Sequence, residues 1–143
     1  MTITQQIKII FQEGLPGFPD CRNFILADLK REAYAPLKIL LSEDKAGINF
    51  ILYPHVNGHT LLDEADLKEL KELSGANQNQ YYSIVTVKEP NGHFSITANL
   101  RAPIVIDQTN GTGWQHVLNK TDQYFQVPLD ELSQTLRQRR KAL

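Results

Sequence analysis

FSITANLRAPIVID, residues 94–107, carries the longest alternation of apolar and polar residues in the chain. Its seven even-numbered positions are all apolar, while most of its odd-numbered positions are polar. A period of two residues predicts a β-strand with one face in a core. At about 3.3 Å per residue the stretch would reach roughly 46 Å, so it has to bend. Pro103 has no backbone N–H and places the bend at 99–103. A long strand that bends while keeping an unbroken inner face is typical of a barrel corner.

Short strand patterns separated by turn residues fill most of the remaining chain. They are QQIKIIFQE (5–13), NFILADL (23–29), LKILLS (37–42), INFILY (48–53), YYSIVTVK (81–88), WQHVLN (114–119) and QYFQVPL (123–129). In the first, the alternation assigns Ile7, Ile9 and Phe11 to one apolar face. The 37–42 and 48–53 stretches look like two arms of a hairpin, and Pro54 is expected to end the second arm. Their expected apolar faces are Leu37, Ile39 and Leu41 against Ile48, Phe50 and Leu52.

The dipeptide Asn91-Gly92 lies between the 81–88 strand and the 94–107 stretch. Asn-Gly between two strand patterns is a strong hairpin signal, and a turn centred there makes the numbers of facing residues sum to 183. The facing pairs predicted in this way are Val87 with Ile96, Val85 with Ala98, Ser83 with Leu100 and, on the other face, Tyr82 near Arg101.

One clear helix pattern interrupts the strands, in TLLDEADLKELKELSG (60–75). Leucines recur every three residues at 67, 70 and 73, Thr60 or Asp63 can cap the start, and Gly75 suits the position after the end. The predicted exposed face is net acidic and carries Asp63, Glu64, Asp66, Glu69 and Glu72. Two interpretations of this face remain open: a solvated surface with local ion pairs, or a patch that binds a partner.

Length and patterning predict one domain over residues 1–143, mainly β, with a single-domain antiparallel β-barrel-like fold and one or two short peripheral helices. The second helix is expected at 129–143, with a basic tail formed by Arg137, Arg139, Arg140 and Lys141. This tail leaves a net charge of −5 on residues 1–136 within the overall −1. The absence of a long apolar run and of a signal-type N-terminus predicts a cytoplasmic protein with no membrane association, and we expect a monomer.

Residues with catalytic or metal-binding chemistry form no recognisable pattern. His55 and His59 are four apart, but Asn57 and Gly58 between them predict a turn and hence solvated histidines, not a zinc site. Cys21 is the only cysteine and is expected to be a quiet, partly buried thiol. We therefore predict no catalytic residues, no cofactor and no metal. Direct nucleic-acid binding is not predicted, because the body is acidic and its aromatic residues belong to strands. An RNA-binding β-barrel that uses the basic tail is the alternative, and an enzyme of unrecognised type is a distant third.

Four motifs together resemble the flagellar assembly factor FliW family. They are GLPGF (14–18), NLRAPIVID (99–107), the W-Q-x-V-L pattern (114–118) and a final strand that contains a tyrosine. The likeness extends from Ile9 to about Leu129, and N-L-x-A-P-I-V-I is its most specific part.

The resemblance implies a non-enzymatic protein with a compact, barrel-like β fold. It also implies two partners, namely newly made flagellin, bound in a chaperone-like way, and the RNA-binding translational repressor CsrA, with the two competing. Candidate partner-binding residues follow from the chain itself. They are Asn99, Arg101 and Pro103 at the bend, where an interrupted strand edge could take a peptide, and Asp63, Glu64, Glu69 and Glu72 on the helix, whose negative charge suits a basic partner. The bend has a second interpretation, as a corner of the barrel and nothing more.

Overall fold

A computed structural model describes residues 3–15, 17–29, 37–55, 60–74, 79–88 and 95–128. Its elements, in chain order, are β1 (Ile3–Ile10), β2 (Asn23–Leu29), β3 (Lys38–Ser42), β4 (Asn49–His55), α1 (Glu64–Ser74), β5 (Asn79–Lys88), β6 (Ser95–Ala98), β7 (Ile104–Asp107), β8 (Thr112–Gln115) and β9 (Val127–Pro128). The predicted turn at Asn91-Gly92, the Gly75 cap, His59 and the closing helix with its basic tail lie outside the described residues.

Seven of the strands close into a barrel. Hydrogen-bonded neighbours run in the order β4, β3, β2, β1, β8, β7 and β5, and β5 pairs again with β4. β6 and β9 continue the sheet from β5 beyond this closed ring. The neighbours are antiparallel except for β1 and β8, which are parallel and pair at a single position, Ile10 with Thr112. The prediction of a mainly antiparallel, barrel-like fold with a peripheral helix is confirmed.

The barrel wall separates two apolar cores. The interior is filled by side chains from almost every strand of the ring and from the turn after β1; it contains Ile9, Phe11, Leu15, Cys21, Phe24, Leu26, Leu40, Leu52, Tyr82, Ile104 and Ile106. The second core includes residues on and around α1, and its buried members are Leu37, Tyr53, Leu62, Leu70, Val85, Ala98, Leu100, Val105 and Leu118. Strands β4, β5 and β7 contribute to both cores, so both of their faces are covered.

The 94–107 stretch forms two strands, not the single bent strand that its alternation predicts. β6 pairs with the second half of β5, with Val85 opposite Ala98 and Val87 opposite Ile96, as the Asn-Gly register predicts. β7 pairs with the first half of the same edge, with Tyr82 opposite Ile104. Paired numbers therefore sum to 183 in β6 and to 186 in β7, because three extra residues are accommodated at the bend. The predicted pairs Ser83 with Leu100 and Tyr82 with Arg101 are wrong for this reason.

The three extra residues also change which core the apolar stripe enters. Because side chains alternate across a strand, an odd insertion exchanges the two faces. Ala98 and Leu100 belong to the core beside α1, whereas Ile104 and Ile106 fill the barrel interior. The alternation in the sequence is continuous, but the prediction of one unbroken inner face is wrong.

Strand β3 and the end of β4 also differ from the prediction. Leu40 faces the barrel interior and lies opposite Phe50, whereas Ile39 and Leu41, the expected core residues, are only half-buried. Pro54 lies inside β4, opposite Tyr82, and does not end it. β4 pairs with β3 only as far as Leu52 among the described residues, so the missing N–H of the proline falls beyond that ladder. The predicted face is confirmed for Ile7 and Ile9 on β1 and for Phe11 directly after the strand.

Replacing Val85 with Asp tests the register, because Val85 is buried opposite Ala98 in the core beside α1. We expect the free energy of unfolding to fall by about 3 kcal/mol, since the carboxylate would have no partner there. Thr86→Asp is the control, because Thr86 is exposed and pairs with Thr97 on the opposite face. Urea denaturation measures both, and equal losses for the two variants would contradict the assignment of faces.

Candidate functional site

The bend at 99–103 satisfies its own backbone. Asn99 Oδ1 accepts the N–H groups of Arg101 and Ala102, each at 3.1 Å, which forms an Asx-type turn. The Asn99 N–H donates to Ile84 O at 2.9 Å, which joins the bend to β5. Arg101 is half-buried, and Pro103 is fully buried. Of the three residues predicted here as partner contacts, Asn99 uses its side-chain oxygen internally and Pro103 packs in the core.

The segment 116–124, which follows β8, holds the bend from the other side. Tyr124 O accepts the N–H groups of Leu100 at 2.9 Å and Arg101 at 3.1 Å. In return, Arg101 O accepts the Leu118 N–H at 2.7 Å. The predicted interrupted edge is therefore occupied by the chain itself, and this part of the bend acts as a corner.

The start of α1 has a reciprocal cap. Asp63 Oδ1 accepts the Asp66 N–H at 2.8 Å, and Asp66 Oδ2 accepts the Asp63 N–H at 3.3 Å. This is a capping box with aspartates at both positions. The Asp66 N–H bond lowers the pKa of the Asp63 carboxyl below its usual value. Thr60, the other predicted cap, instead accepts the Leu62 N–H at 3.0 Å in the turn before the helix.

Lys120 joins α1 to the 116–124 segment. Its Nζ lies 2.5 Å from Asp66 Oδ2 and 3.7 Å from Asp63 Oδ2, and it stands 4.3 Å from the centre of the Tyr124 ring. The side chains of Lys120 and Asp66 are only 12% and 8% exposed, whereas that of Asp63 is 64% exposed. The prediction that Asp66 lies on the exposed acidic face is wrong, because it is the buried half of this ion pair.

A second contact ties the middle of α1 to the same segment. Glu69 Oε2 lies 2.6 Å from His116 Nε2, and both side chains are partly buried. Glu64 and Glu72 are exposed. The acidic face of the helix is thus divided: Asp66 and Glu69 hold the helix to the body of the protein, while Asp63, Glu64 and Glu72 present negative charge outward.

Exposed apolar side chains lie close to this acidic surface in the chain. Leu73 is 57% exposed, Val117 55% and Phe125 53%. Leu73 is one turn after Glu69, and Val117 directly follows His116, so each is a sequence neighbour of one residue of the Glu69–His116 contact. Leu73 was expected in the buried stripe. Leucines three residues apart drift by about 60° per step around the helix, so the third one leaves the face that Leu67 and Leu70 bury.

His55 is buried at the end of β4, although its spacing to His59 predicts a solvated loop position. Its Nε2 lies 2.7 Å from Ser83 Oγ, and its Nδ1 accepts the Leu61 N–H at 3.2 Å. This acceptor role leaves the proton on Nε2, which donates to the serine. Burial lowers the pKa of His55 to about 4, so the imidazole is neutral at pH 7. The residue serves as a neutral connector between β4, β5 and the turn before α1.

Within the described ranges, no three His, Cys, Asp or Glu side chains are grouped so that they could hold a metal ion. In the same part of the chain, no helix is long and apolar enough to cross a membrane. Cys21 is completely buried in the barrel interior, as a quiet thiol would be.

Comparison with known proteins places the chain in a family. The model of the FliW protein family matches residues 1–129. The chain belongs to the FliW family of flagellar assembly factors. It is 33% identical over 124 residues to the flagellar assembly factor FliW of Thermoanaerobacter pseudethanolicus, covering 86% of this chain and 82% of that protein. The corresponding protein of Thermosipho africanus is 32% identical over 136 residues, covering 92% and 90%.

A crystal structure of the flagellar assembly factor FliW has the same fold. It aligns with a TM-score of 0.58 at 29% identity, covering 90% of this chain and 88% of that one. The family resemblance identified from GLPGF and NLRAPIVID is therefore confirmed.

The contacts that organise this site join residues far apart in sequence. Lys120 and His116 reach α1 across about fifty residues. His116 fills the variable position of the W-Q-x-V-L pattern, and Lys120 lies just after that pattern. Neither a histidine within the predicted strand 114–119 nor a lysine just after it gives a signal of burial. The Asp63-x-x-Asp66 spacing is the one local signal, because it matches a capping box and so marks the start of the helix.

The Lys120–Asp66 pair should be important for stability. Asp66→Asn would leave the buried Lys120 ammonium with only the exposed Asp63 carboxylate, 3.7 Å away, and we expect the free energy of unfolding to fall by about 3 kcal/mol. Combining it with Lys120→Met should recover much of the loss, because neither charge then remains buried. Glu64→Gln, at the exposed first turn, is the control and should stay within about 0.5 kcal/mol of the unchanged protein. A double variant no more stable than Asp66→Asn alone would contradict the pairing.

The burial of His55 predicts a pH dependence. With a folded pKa of about 4 and an unfolded value near 6.5, the unfolded chain binds the extra proton as the pH falls. The full contribution of the neutral imidazole is present above pH 6.5, and about 3 kcal/mol is lost between pH 6.5 and 4. His55→Gln should remove this component, which denaturation curves of both proteins across that range would measure. Parallel curves for the two proteins would exclude His55 as its source.

Proposed function

We propose that this protein binds flagellin as a chaperone-like partner, and also binds and antagonises the translational repressor CsrA. When flagellin is exported, the freed protein engages CsrA and relieves repression of flagellin synthesis. Membership of the FliW family over residues 1–129 is the observation that carries this proposal. We further propose that it acts without catalysis, in the cytoplasm, as a monomer when free, and without contacting nucleic acid itself.

The outward surface of α1 is the proposed region of contact with CsrA. Asp63, Glu64 and Glu72 direct negative charge into solvent, and Glu69 is partly accessible beside His116. An RNA-binding protein presents a basic surface, so this charge favours encounter between the two. Exposed Leu73 and Val117, which neighbour the two residues of that contact in sequence, supply apolar area, and burying such area favours protein association.

The bend at 99–103 is proposed to position the surface that the partners contact. Asn99 and Pro103 fix the corner, and Arg101 stands half-buried where the corner meets the 116–124 segment. Both partners are proposed to depend on the geometry of this corner. Asn99 and Arg101 are both partly accessible there, whereas Pro103 is buried. Asn99→Ala would remove the acceptor for two backbone N–H groups, so its effect on binding has to be read together with its effect on melting.

Reversing charge on α1 tests the CsrA contact. Glu64→Lys combined with Glu72→Lys should slow association with CsrA about tenfold at low salt and flatten the salt dependence of the rate. Dissociation should change less, because exposed charges act mainly on encounter. Stopped-flow or surface-based kinetics at several ionic strengths measure this.

The matched control is Asp20→Lys combined with Glu43→Lys. Both residues are exposed in loops of the barrel away from α1, and the change in net charge is the same. Equal slowing by the two double variants would assign the effect to overall charge and not to α1. Unchanged kinetics in the α1 variant would identify its acidic face as solvated surface only.

Competition between the two partners is tested with purified components. Flagellin added to a preformed complex with labelled CsrA should release CsrA, with a midpoint that follows flagellin concentration. RNA titrated with the same protein in the absence of CsrA should show no salt-dependent shift in its electrophoretic mobility. A shift that weakens steeply with salt would favour the RNA-binding alternative.

A further inference from the structure

The barrel has an open seam between β1 and β8. The two strands pair only at Ile10 and Thr112, after which the chain leaves β1 and turns away at residues 11–15. The Ile10 N–H donates to Gly111 O at 2.8 Å, so odd-numbered residues in this part of the chain turn their backbone groups toward β1. The parallel pair also uses the Gly113 N–H, which bonds to Ile10 O. Among the described residues, the β8 backbone groups without a strand partner on that side are therefore Gly113 O and the N–H and C=O of Gln115. The seam is therefore a short, unpaired sheet edge.

A cleft of about 720 Å³ lies along this edge. One wall is Thr112–Gln115, and the other is the turn that contains Glu13, Gly14 and Gly17. Each wall contains a glycine at a position where a side chain would collide with neighbouring atoms. A Cβ on Gly14 would lie 2.6 Å from Pro19 O, and one on Gly113 would lie 2.8 Å from the Phe11 ring. The free groups of Gly113 and Gln115 extend over about 7 Å of strand, which is enough to pair with two or three residues of extended chain.

The lining has a definite chemical character. It includes Gln12, Glu13, Trp114 and Gln115, and none of the described residues that line the cleft is cationic. Trp114 also packs partly against the core beside α1, and Gln115 Nε2 donates to Ala102 O at 2.9 Å. A carboxylate and an aromatic ring in one cleft complement an arginine or lysine side chain, by charge and by cation–π attraction. Ile10, which is 41% exposed at the end of the seam, offers an apolar contact beside it.

We propose that this cleft binds an extended peptide segment of a partner as an added strand on β8, with an Arg or Lys side chain of the peptide directed at Glu13. Main-chain hydrogen bonds to the free edge supply affinity, and the Glu13 and Trp114 side chains supply selection. The cleft is separate from the outward face of α1, so the proposal stands whichever protein carries the segment.

Trp114 is the only tryptophan of the chain, so its emission reports on this cleft. The probe is the blocked pentapeptide acetyl-Thr-Val-Arg-Val-Thr-amide, titrated into the full-length protein. A second peptide replaces the arginine with citrulline, which keeps the shape and removes the charge. A third carries N-methyl groups on alternate backbone amides, which removes donors that an added strand requires.

We expect the arginine peptide to produce a saturable change in Trp114 emission. The citrulline peptide should bind about two- to fivefold more weakly, and the N-methylated peptide should not bind. Glu13→Gln should weaken the arginine peptide by the same factor and leave the citrulline peptide unchanged, while Glu43→Gln, an exposed glutamate elsewhere, should alter neither. The absence of saturable binding would overturn the proposal. Equal binding of the N-methylated peptide would exclude strand addition, and an unaltered Glu13→Gln protein would exclude the basic side chain.

The edge could instead be covered by a second copy of this chain. Sedimentation of the protein alone, with and without the arginine peptide, separates the two occupants. A monomer in both conditions supports the proposal. A dimer that the peptide dissociates would assign the edge to self-association and overturn it.

Discussion

The structure depends on the three-residue difference in register between β6 and β7, which both pair with β5. Both strands pair with the same edge of β5, so their apolar side chains would enter the same core if the register were continuous. The odd insertion at 99–103 exchanges the faces and sends one end of the stripe into the barrel and the other toward α1. One continuous alternation in sequence thereby serves two cores, and β5 is covered on both sides.

An insertion in the middle of a sheet leaves backbone groups that need partners, and the 116–124 segment supplies them. Tyr124 and Leu118 bond the bend, while Lys120 and His116 from the same segment hold α1. The helix and the bend are therefore coupled through one short piece of chain. Because Lys120 and Asp66 are both largely buried, separating them would expose an unmatched charge to a low-dielectric environment, which makes this coupling stiff.

Local patterns predicted most of the elements and the register of one hairpin. Asn91-Gly92 correctly predicted the pairing of Val85 with Ala98, and GLPGF and NLRAPIVID indicated the family. The patterns failed where a distant contact decides. Alternation cannot reveal an odd insertion, since apolar residues remain at even positions on both sides of it. His55 looked solvated because glycine and asparagine follow it, yet Ser83, twenty-eight residues away, gives it a buried partner. The ion pairs of α1 lacked a local signal for the same reason.

The parallel contact between β1 and β8 has a consequence for the order of folding. It joins Ile10 to Thr112, so the barrel cannot close until about four-fifths of the chain has left the ribosome. Strands β1 to β4 are neighbours both in sequence and in the sheet, so they can pair early. One edge of β1 stays unpaired until β8 is available. Closing a loop of this length costs entropy before any contact is gained, which slows the last step of folding. During that interval a nascent chain of this protein itself presents an unsatisfied strand.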